Sequence, residues 1–593
     1  MRKLYAVFGL LIVASMMLTA CQPQTPQTPQ TVVQTVIVEG TPQVIVVTPE
    51  PEVVPKVLRV NLGPGDVPTI DPALSTDTSS VQIVDQTTIG LGRQHEETNE
   101  LEPGMATWTT VVNDDGTMTA TYTLRTDVPW VKWDGTQVVQ VMDCQETPAP
   151  RMVNAYDFEY GILRTLAPAT ASDYAYVLNF AIKGGSAYNA GETEDTTTVG
   201  VKAIDATTLE ITFVDAAVYN LNIASMWVAH AQPKWLIEGD DCTEARGDRW
   251  TETGFFQGYG PFTMKEWVHD SYITIVKNPF WPGTDSVPAS KINEIRFSML
   301  DEIAAFAEYE AGNLDISGVP SGDIDRVKAD PVLSAELVIA PVQCTYYYGF
   351  NTSKPFVDDV RVRRALSMAI DRQALIDNVT KGNQTPAQWF ARPGLAGAPT
   401  MADHPDTGVK FDAAAAKALL DEYLTEKGIA AADVDLTLMF NTSSGHQKIA
   451  EAIQQMWKQN LGLDVKLANQ EWKVYLKTLQ EDSPQIWRLG WCSDYPDANN
   501  FTKEVFATGG HEEAATKWNN ATFDAILAKA ALETDLTKRT DLYAQAEQIL
   551  VYDDAAIAPI YFYTRNTVTK PYITRTFGVG GQEYFEKWDI AAH

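Results

Sequence analysis

Residues 470–501 concentrate side chains of the kind that recognise ligands. Gln470-Glu471-Trp472-Lys473 is followed by Trp487-Arg488-Leu489-Gly490-Trp491-Cys492-Ser493-Asp494-Tyr495-Pro496-Asp497. Aromatic rings supply flat, rigid contact area at low entropic cost. Gly490 would let a ligand backbone come close. Arg488 and Asp494 offer opposite charges, as a zwitterionic ligand requires. The same residues also fit a core strand ending in a turn capped by Asp494.

Signatures of catalysis are missing from the sequence. It has no Gly-x-Ser-x-Gly elbow, no phosphate-binding glycine loop and no His-Glu-x-x-His helix. The histidines (His95, His230, His269, His404, His446, His511 and His593) include no pair at helical metal-ligand spacing. No Cys-x-x-Cys knuckle occurs. Carboxylate pairs such as Asp240-Asp241 and Asp553-Asp554 read as solvated surface in so acidic a chain. The reading is of a binding protein and not an enzyme, with no metal and no cofactor. The net charge of −32, from 45 basic and 77 acidic residues, repels phosphates and argues against a nucleic-acid partner.

Elements of both periods must position these residues. Strands are expected at 56–61, 118–124 (after the turn Asn113-Asp114-Asp115-Gly116), 208–214, 273–277, 463–467 and 557–563. A helix capped by Asp359 is expected to run to Val379, with Gly382 just past its end. Others are expected at 413–424, 446–460 and 541–550. In 446–460, Ile449, Ile453, Met456 and Trp457 mark one buried face. About 540 residues exceed one simple core and imply two or three domains, and the mixed α and β pattern reads as two lobes.

The start of the chain reads differently. Met1-Arg2-Lys3, an uncharged apolar run from Leu4 to Leu18 and then Leu18-Thr19-Ala20-Cys21 have the order and spacing of a signal peptide ending in a bacterial lipobox. Residues 1–20 are expected to be removed and Cys21 lipidated. Residues 21–55, rich in Pro, Gln and Thr, read as a lipid-anchored tether. Their valine runs have strand propensity without an obvious partner. The remainder is expected outside the cytoplasm, where disulfides persist. Cys144, Cys242, Cys344 and Cys492 allow three pairings, and the sequence alone does not choose among them.

The cluster at 470–501 resembles extracytoplasmic oligopeptide-binding lipoproteins of bacterial ABC importers, in the peptide/nickel solute-binding family 5. Ala155-Tyr156-Asp157-Phe158-Glu159-Tyr160, Tyr309-Glu310-Ala311-Gly312-Asn313-Leu314-Asp315, Cys344-Thr345-Tyr346-Tyr347-Tyr348-Gly349-Phe350-Asn351, Asp359-Val360-Arg361-Val362-Arg363-Arg364-Ala365-Leu366 and Pro559-Ile560-Tyr561-Phe562-Tyr563 extend the likeness over most of 56–593.

The resemblance implies an α/β, two-lobed periplasmic-binding-protein-like fold of type II, with mixed sheets and an extra domain. Lobe I would comprise 56–88, 253–343 and 565–593, the extra domain II 89–252, and lobe III 344–564. A peptide would lie extended in the interlobe cleft, paired through its main chain, and the closed monomer would deliver it to permease subunits served by separate ATPase subunits. Oligosaccharide or another solute is a competing cargo, and a surface hydrolase or folding factor a more distant alternative.

Residue by residue, the resemblance implies that Asp494 holds the peptide's α-ammonium. Arg488, His446 and, one position displaced, Lys381 would meet its carboxylate, and Leu479 stands where the family has a further arginine. Trp472 and Trp491 would line pockets, Tyr174 and Tyr563 would line the cleft, and Gly490 and Cys492 belong to the same binding segment. Thr76, beside Asp77, occupies the position of a family acid. The family pairs cysteines matching Cys344 and Cys492, which leaves Cys144 and Cys242 to pair with each other.

Overall fold

The computed structural model describes residues 32–38, 41–47 and 55–593. The chain divides into two units, residues 1–55 and 56–593. The signal segment and Cys21 lie outside the described residues. In the first unit, Val32–Val38 and Thr41–Val47 pair antiparallel, in a register that sets Val33 against Val46 and Ile37 against Pro42. The two valine runs, which had no obvious partner in the sequence, are each other's ladder partner. No described helix is long and apolar enough to cross a membrane.

Three larger sheets organise residues 56–593. One joins Phe262–Val268, Tyr272–Lys277, Glu294–Ser298 and, in parallel, Val57–Asn61. A second, antiparallel, holds Val201–Asp205, Thr208–Phe213, Met118–Leu124 and Ala106–Val112. The third has seven strands. Its centre is the long strand Leu337–Phe350, flanked by Ile557–Thr569 and Ile486–Cys492, and it continues through Thr437–Asn441 and Lys466–Gln470. The long central strand and Ile557–Thr569 pair along most of their length, with register shifts near Pro341 and Tyr346. Positions 343/344 and 564/565 therefore fall inside two strands bonded to each other.

Most apolar side chains form one core, and a smaller one gathers Phe306, Tyr309, Val327 and Leu333. Ser444–Leu461 buries Ile449, Ile453 and Trp457, whereas Met456 is only partly covered. The helix expected from Asp359 to Val379 is broken. It runs Val360–Met368 and restarts at Arg372, where Asp371 caps the new turn. Buried Arg372 explains the break, because its guanidinium donates to the carbonyls of Ser367, Ile370 and Pro559. The strand expected at 463–467 starts later, at Lys466. Leu463 and Val465 are buried ahead of it, and the Val465 carbonyl accepts from Gln454.

Candidate functional site

Register explains the site's chemistry. Cys344 faces Cys492 across the ladder, and the two are disulfide-bonded; Cys144 and Cys242 form a second disulfide. Tyr346 faces both Gly490 and Tyr561, and Tyr348 faces Arg488. Residues opposite one another share a face, so Arg488, Gly490, Tyr346 and Tyr348 gather on one side. Trp491 alternates to the other.

Arg488 is buried. Its guanidinium donates to Asn441 Oδ1 at 3.0 Å and to the Tyr563 hydroxyl, and its carbon lies 4.4 Å from the Tyr346 ring centre. Tyr475 fixes the backbone on both sides, receiving the Arg488 N–H and donating to its carbonyl. No carboxylate pairs with this cation among the described residues, and Nε has no acceptor. Burial opposes the charge, but the hydroxyls of Tyr563 and Tyr346 favour it and its pKa is raised. His446, in the first turn of its helix, packs on Tyr346 at 5.6 Å with a buried, unpartnered Nδ1. Burial and then Arg488 drive its pKa well down, so the ring is neutral.

A β-carbon at Gly490 would meet the Tyr563 hydroxyl at 3.0 Å and Arg488 Nη2 at 3.4 Å. The missing side chain therefore makes room for the Arg488–Tyr563 pair.

Asp494 follows the strand. Its Oδ2 accepts from Asn500 Nδ2 at 2.9 Å and from the Tyr174 hydroxyl at 3.2 Å. Its carbonyl accepts from Gln94 at 2.7 Å. No described donor reaches Oδ1. Burial pushes its pKa up to about 7, against the opposing pull of Asn500, Tyr174 and His511. Trp491 is buried, stacks on Tyr174 with 6° between planes and donates to Asn500 at 3.1 Å. Asp494 borders a cavity of about 50 Å³ with Gln94, Trp227 and His230, room for a few waters. A wider polar cavity of about 570 Å³ lies beyond His511, lined by Asp173, Tyr176 and Lys517, and is reached by neither Arg488 nor Asp494.

Residues 100–513 match the family described as bacterial extracellular solute-binding proteins, family 5. The chain belongs to this family. The oligopeptide-binding protein OppA of Bacillus subtilis is 33% identical over 534 residues, 87% of this chain and 90% of that one. The murein tripeptide binding protein MppA of Escherichia coli superposes with a TM-score of 0.76 at 28% identity, over 91% of this chain and 99% of its own. Its unliganded open form gives 0.58, at 29% identity and over 91% and 98%. The OppA of Haemophilus influenzae in complex with RPPGFSPFR gives 0.76 at 25% identity, over 91% and 99%. The fold of this solute-binding protein is thus the two-lobed α/β one, in an arrangement unlike the open form.

The remaining site candidates of the solute-binding protein divide. Trp472 begins the helix Trp472–Asp482, stacks on Tyr475 and stands at a contact between distant segments, where Gly65 meets Glu471 and Trp472. Thr76 is half-buried, and its neighbour Asp77 caps the helix Thr78–Thr87. The Lys381 ammonium pairs with Asp325 at 2.6 Å. Leu479 is core.

Asn500, Gln94, His511 and Tyr475 are additional residues around these two groups. Asn500 and Tyr475 had a nearby signal, both lying within the dense 470–501 segment. Gln94 and His511 arrive from distant parts of the chain and leave no local mark.

Proposed function

We propose that this protein captures oligopeptides in its interlobe cleft and delivers them to an ABC permease. One observation carries the reading: Arg488 is buried and Asp494 part-buried, they are of opposite charge, and neither forms a salt bridge among the described residues. Enclosed charges of this kind are costly unless paired, and a zwitterionic ligand pairs both. They stand six residues apart, at most about 20 Å of extended chain, a span within reach of a short extended peptide. The peptide-binding relatives, including the one in complex with RPPGFSPFR, support this cargo.

In this reading Asp494 Oδ1 receives the α-ammonium through a charge-assisted bond, and Arg488 with neutral His446 meets the carboxylate. Lobe I is 56–88, 253–343 and 565–593, domain II is 89–252 and lobe III is 344–564. The two paired long strands crossing 343/344 and 564/565 act as the hinge. The protein binds and releases without catalysis and works as a monomer. Cleavage before Cys21 and lipid on its thiol hold it at the outer membrane face, where tethering raises its effective concentration at the permease. Loss of lipid labelling in Cys21→Ser tests the anchor.

Calorimetry tests the cargo. The protein should bind a free-amine peptide about tenfold or more tightly than its Nα-acetylated form, and Asp494→Ala should abolish that difference. Equal affinities in the unmodified protein would sink the assignment of Asp494.

A further inference from the structure

We infer that Asn500 is the positioning residue that makes the Asp494 site select for a charged amine, by turning the carboxylate so that Oδ2 is bound by protein and Oδ1 is left for the ligand. The inference rests on the capture of an α-ammonium by Asp494 and adds the residue that orients it. Asn500 is fully buried in the first turn of the helix Ala498–Phe506. All three of its side-chain hydrogen bonds go to the binding segment. Its Oδ1 accepts from the Trp491 indole at 3.1 Å and from the Asp494 N–H at 3.0 Å, and its Nδ2 donates to Asp494 Oδ2 at 2.9 Å. One amide thus fixes the backbone, the carboxylate and the neighbouring indole together.

The helix that carries Asn500 is itself anchored. Asp497 caps it, accepting from the Asn499 N–H at 2.9 Å, and takes two bonds of 2.7 Å from the buried Arg539 guanidinium. Asn500 and Asp494 are close neighbours on one continuous segment, so their bond does not depend on lobe closure. Tyr174 is different. It adds a second donor to the same Oδ2 from 320 residues away.

Donors matter here because the carboxylate is desolvated. A bond to the ionised form favours it over the protonated one, and only the ionised form attracts an ammonium. The charged and titratable groups facing Asp494 are few. Tyr174 packs from the segment before Ala175–Ala181, and Tyr176 from that helix; both stay neutral because burial and then nearby charge raise their pKa values. His511 approaches from the loop after Phe506, where Glu512 and Asp173 outweigh burial and raise its pKa. Glu504, on the same helix as Asn500, is buried and pushed up to about 7. Arg93, Asp85, His230 and Tyr584 line the adjoining cavity; Arg93 is paired with Glu586, and His230 is held neutral by burial.

The test is affinity against pH, from 5 to 9, for one peptide with a free amine and the same peptide Nα-acetylated, in the unmodified protein, Asn500→Ala and Tyr174→Phe. Asn500→Ala should weaken the free-amine peptide about tenfold at pH 7. It should leave the acetylated peptide within about twofold, and should raise the pH below which free-amine affinity falls. Tyr174→Phe keeps the ring on Trp491 and removes only the hydroxyl. It should move the same quantities in the same direction by a smaller factor, which guards against misfolding of the buried variant. If the unmodified protein discriminates while both variants lose both peptides equally, with no shift in the pH profile, the positioning role is overturned and the capture by Asp494 stands. If the unmodified protein does not discriminate, the capture itself is overturned and this inference with it.

Discussion

Arg488 separates recognition from stability. A buried guanidinium without a carboxylate gains little for the fold, because its hydrogen bonds to Tyr563 and Asn441 repay a desolvation cost that an apolar side chain would not incur. Arg488→Met is therefore expected to change unfolding free energy by no more than about 1–2 kcal/mol in denaturant titrations. The same change should weaken peptides with a free C-terminal carboxylate about tenfold while leaving C-terminal amides nearly unaffected. Comparable losses for both peptides would remove Arg488 from the carboxylate site. Lys381 follows the broken helix in a left-handed conformation, φ 53°, and its ammonium pairs with the exposed Asp325.

Among the elements, the long strand Leu337–Phe350 bears the strictest packing constraint. Gly349 faces Trp487 in the ladder, and a β-carbon there would lie 2.1 Å from the indole ring. Gly349→Ala must displace a buried tryptophan one residue from Arg488. Overpacking of this kind costs about 1–3 kcal/mol, so a lowered denaturant midpoint is expected, with peptide affinity reduced as Arg488 shifts. The Cys344–Cys492 disulfide ties the same strand to the site strand. Replacing both cysteines by serine should lower stability by about 2–4 kcal/mol, read in the same titration. The strand pattern at 118–124 and 208–214 and the buried face of Ser444–Leu461 follow from local periodicity. The break between Met368 and Arg372 does not, because Arg372 reaches the carbonyl of Pro559, 187 residues away, as well as local ones.

Over the whole molecule, the proposed hinge closure couples to ionisation. Tyr174 and Gln94 reach Asp494 from 320 and 400 residues away, and enclosure lifts its pKa from the ordinary 3.8 to about 7. Between about pH 4 and 7 a closed, empty cleft therefore holds a proton that an open, solvated Asp494 has already lost. The sign follows from linkage: closure without cargo is favoured at low pH and loses this contribution as pH rises through about 7. Small-angle scattering of the empty protein should show a smaller radius at pH 5 than at pH 8, and a free-amine peptide should close it at both. The difference should vanish in Asp494→Asn, which has no proton to gain; its persistence there would assign the effect to other groups.

The order of motifs along the sequence was enough for the family and the mixed α/β class, because strand alternation, helix caps and aromatic clusters are local patterns. The register of three strands decided the rest. It placed Arg488 over a tyrosine floor, filled the space above Gly490 with the Tyr563 hydroxyl, and sent Trp491 to the opposite face to stack on Tyr174. It also fell to tertiary structure to bring Asn500, Gln94 and Tyr174 around one carboxylate. Hydrogen bonds across hundreds of residues have no period in the sequence; they exist only once the chain has folded.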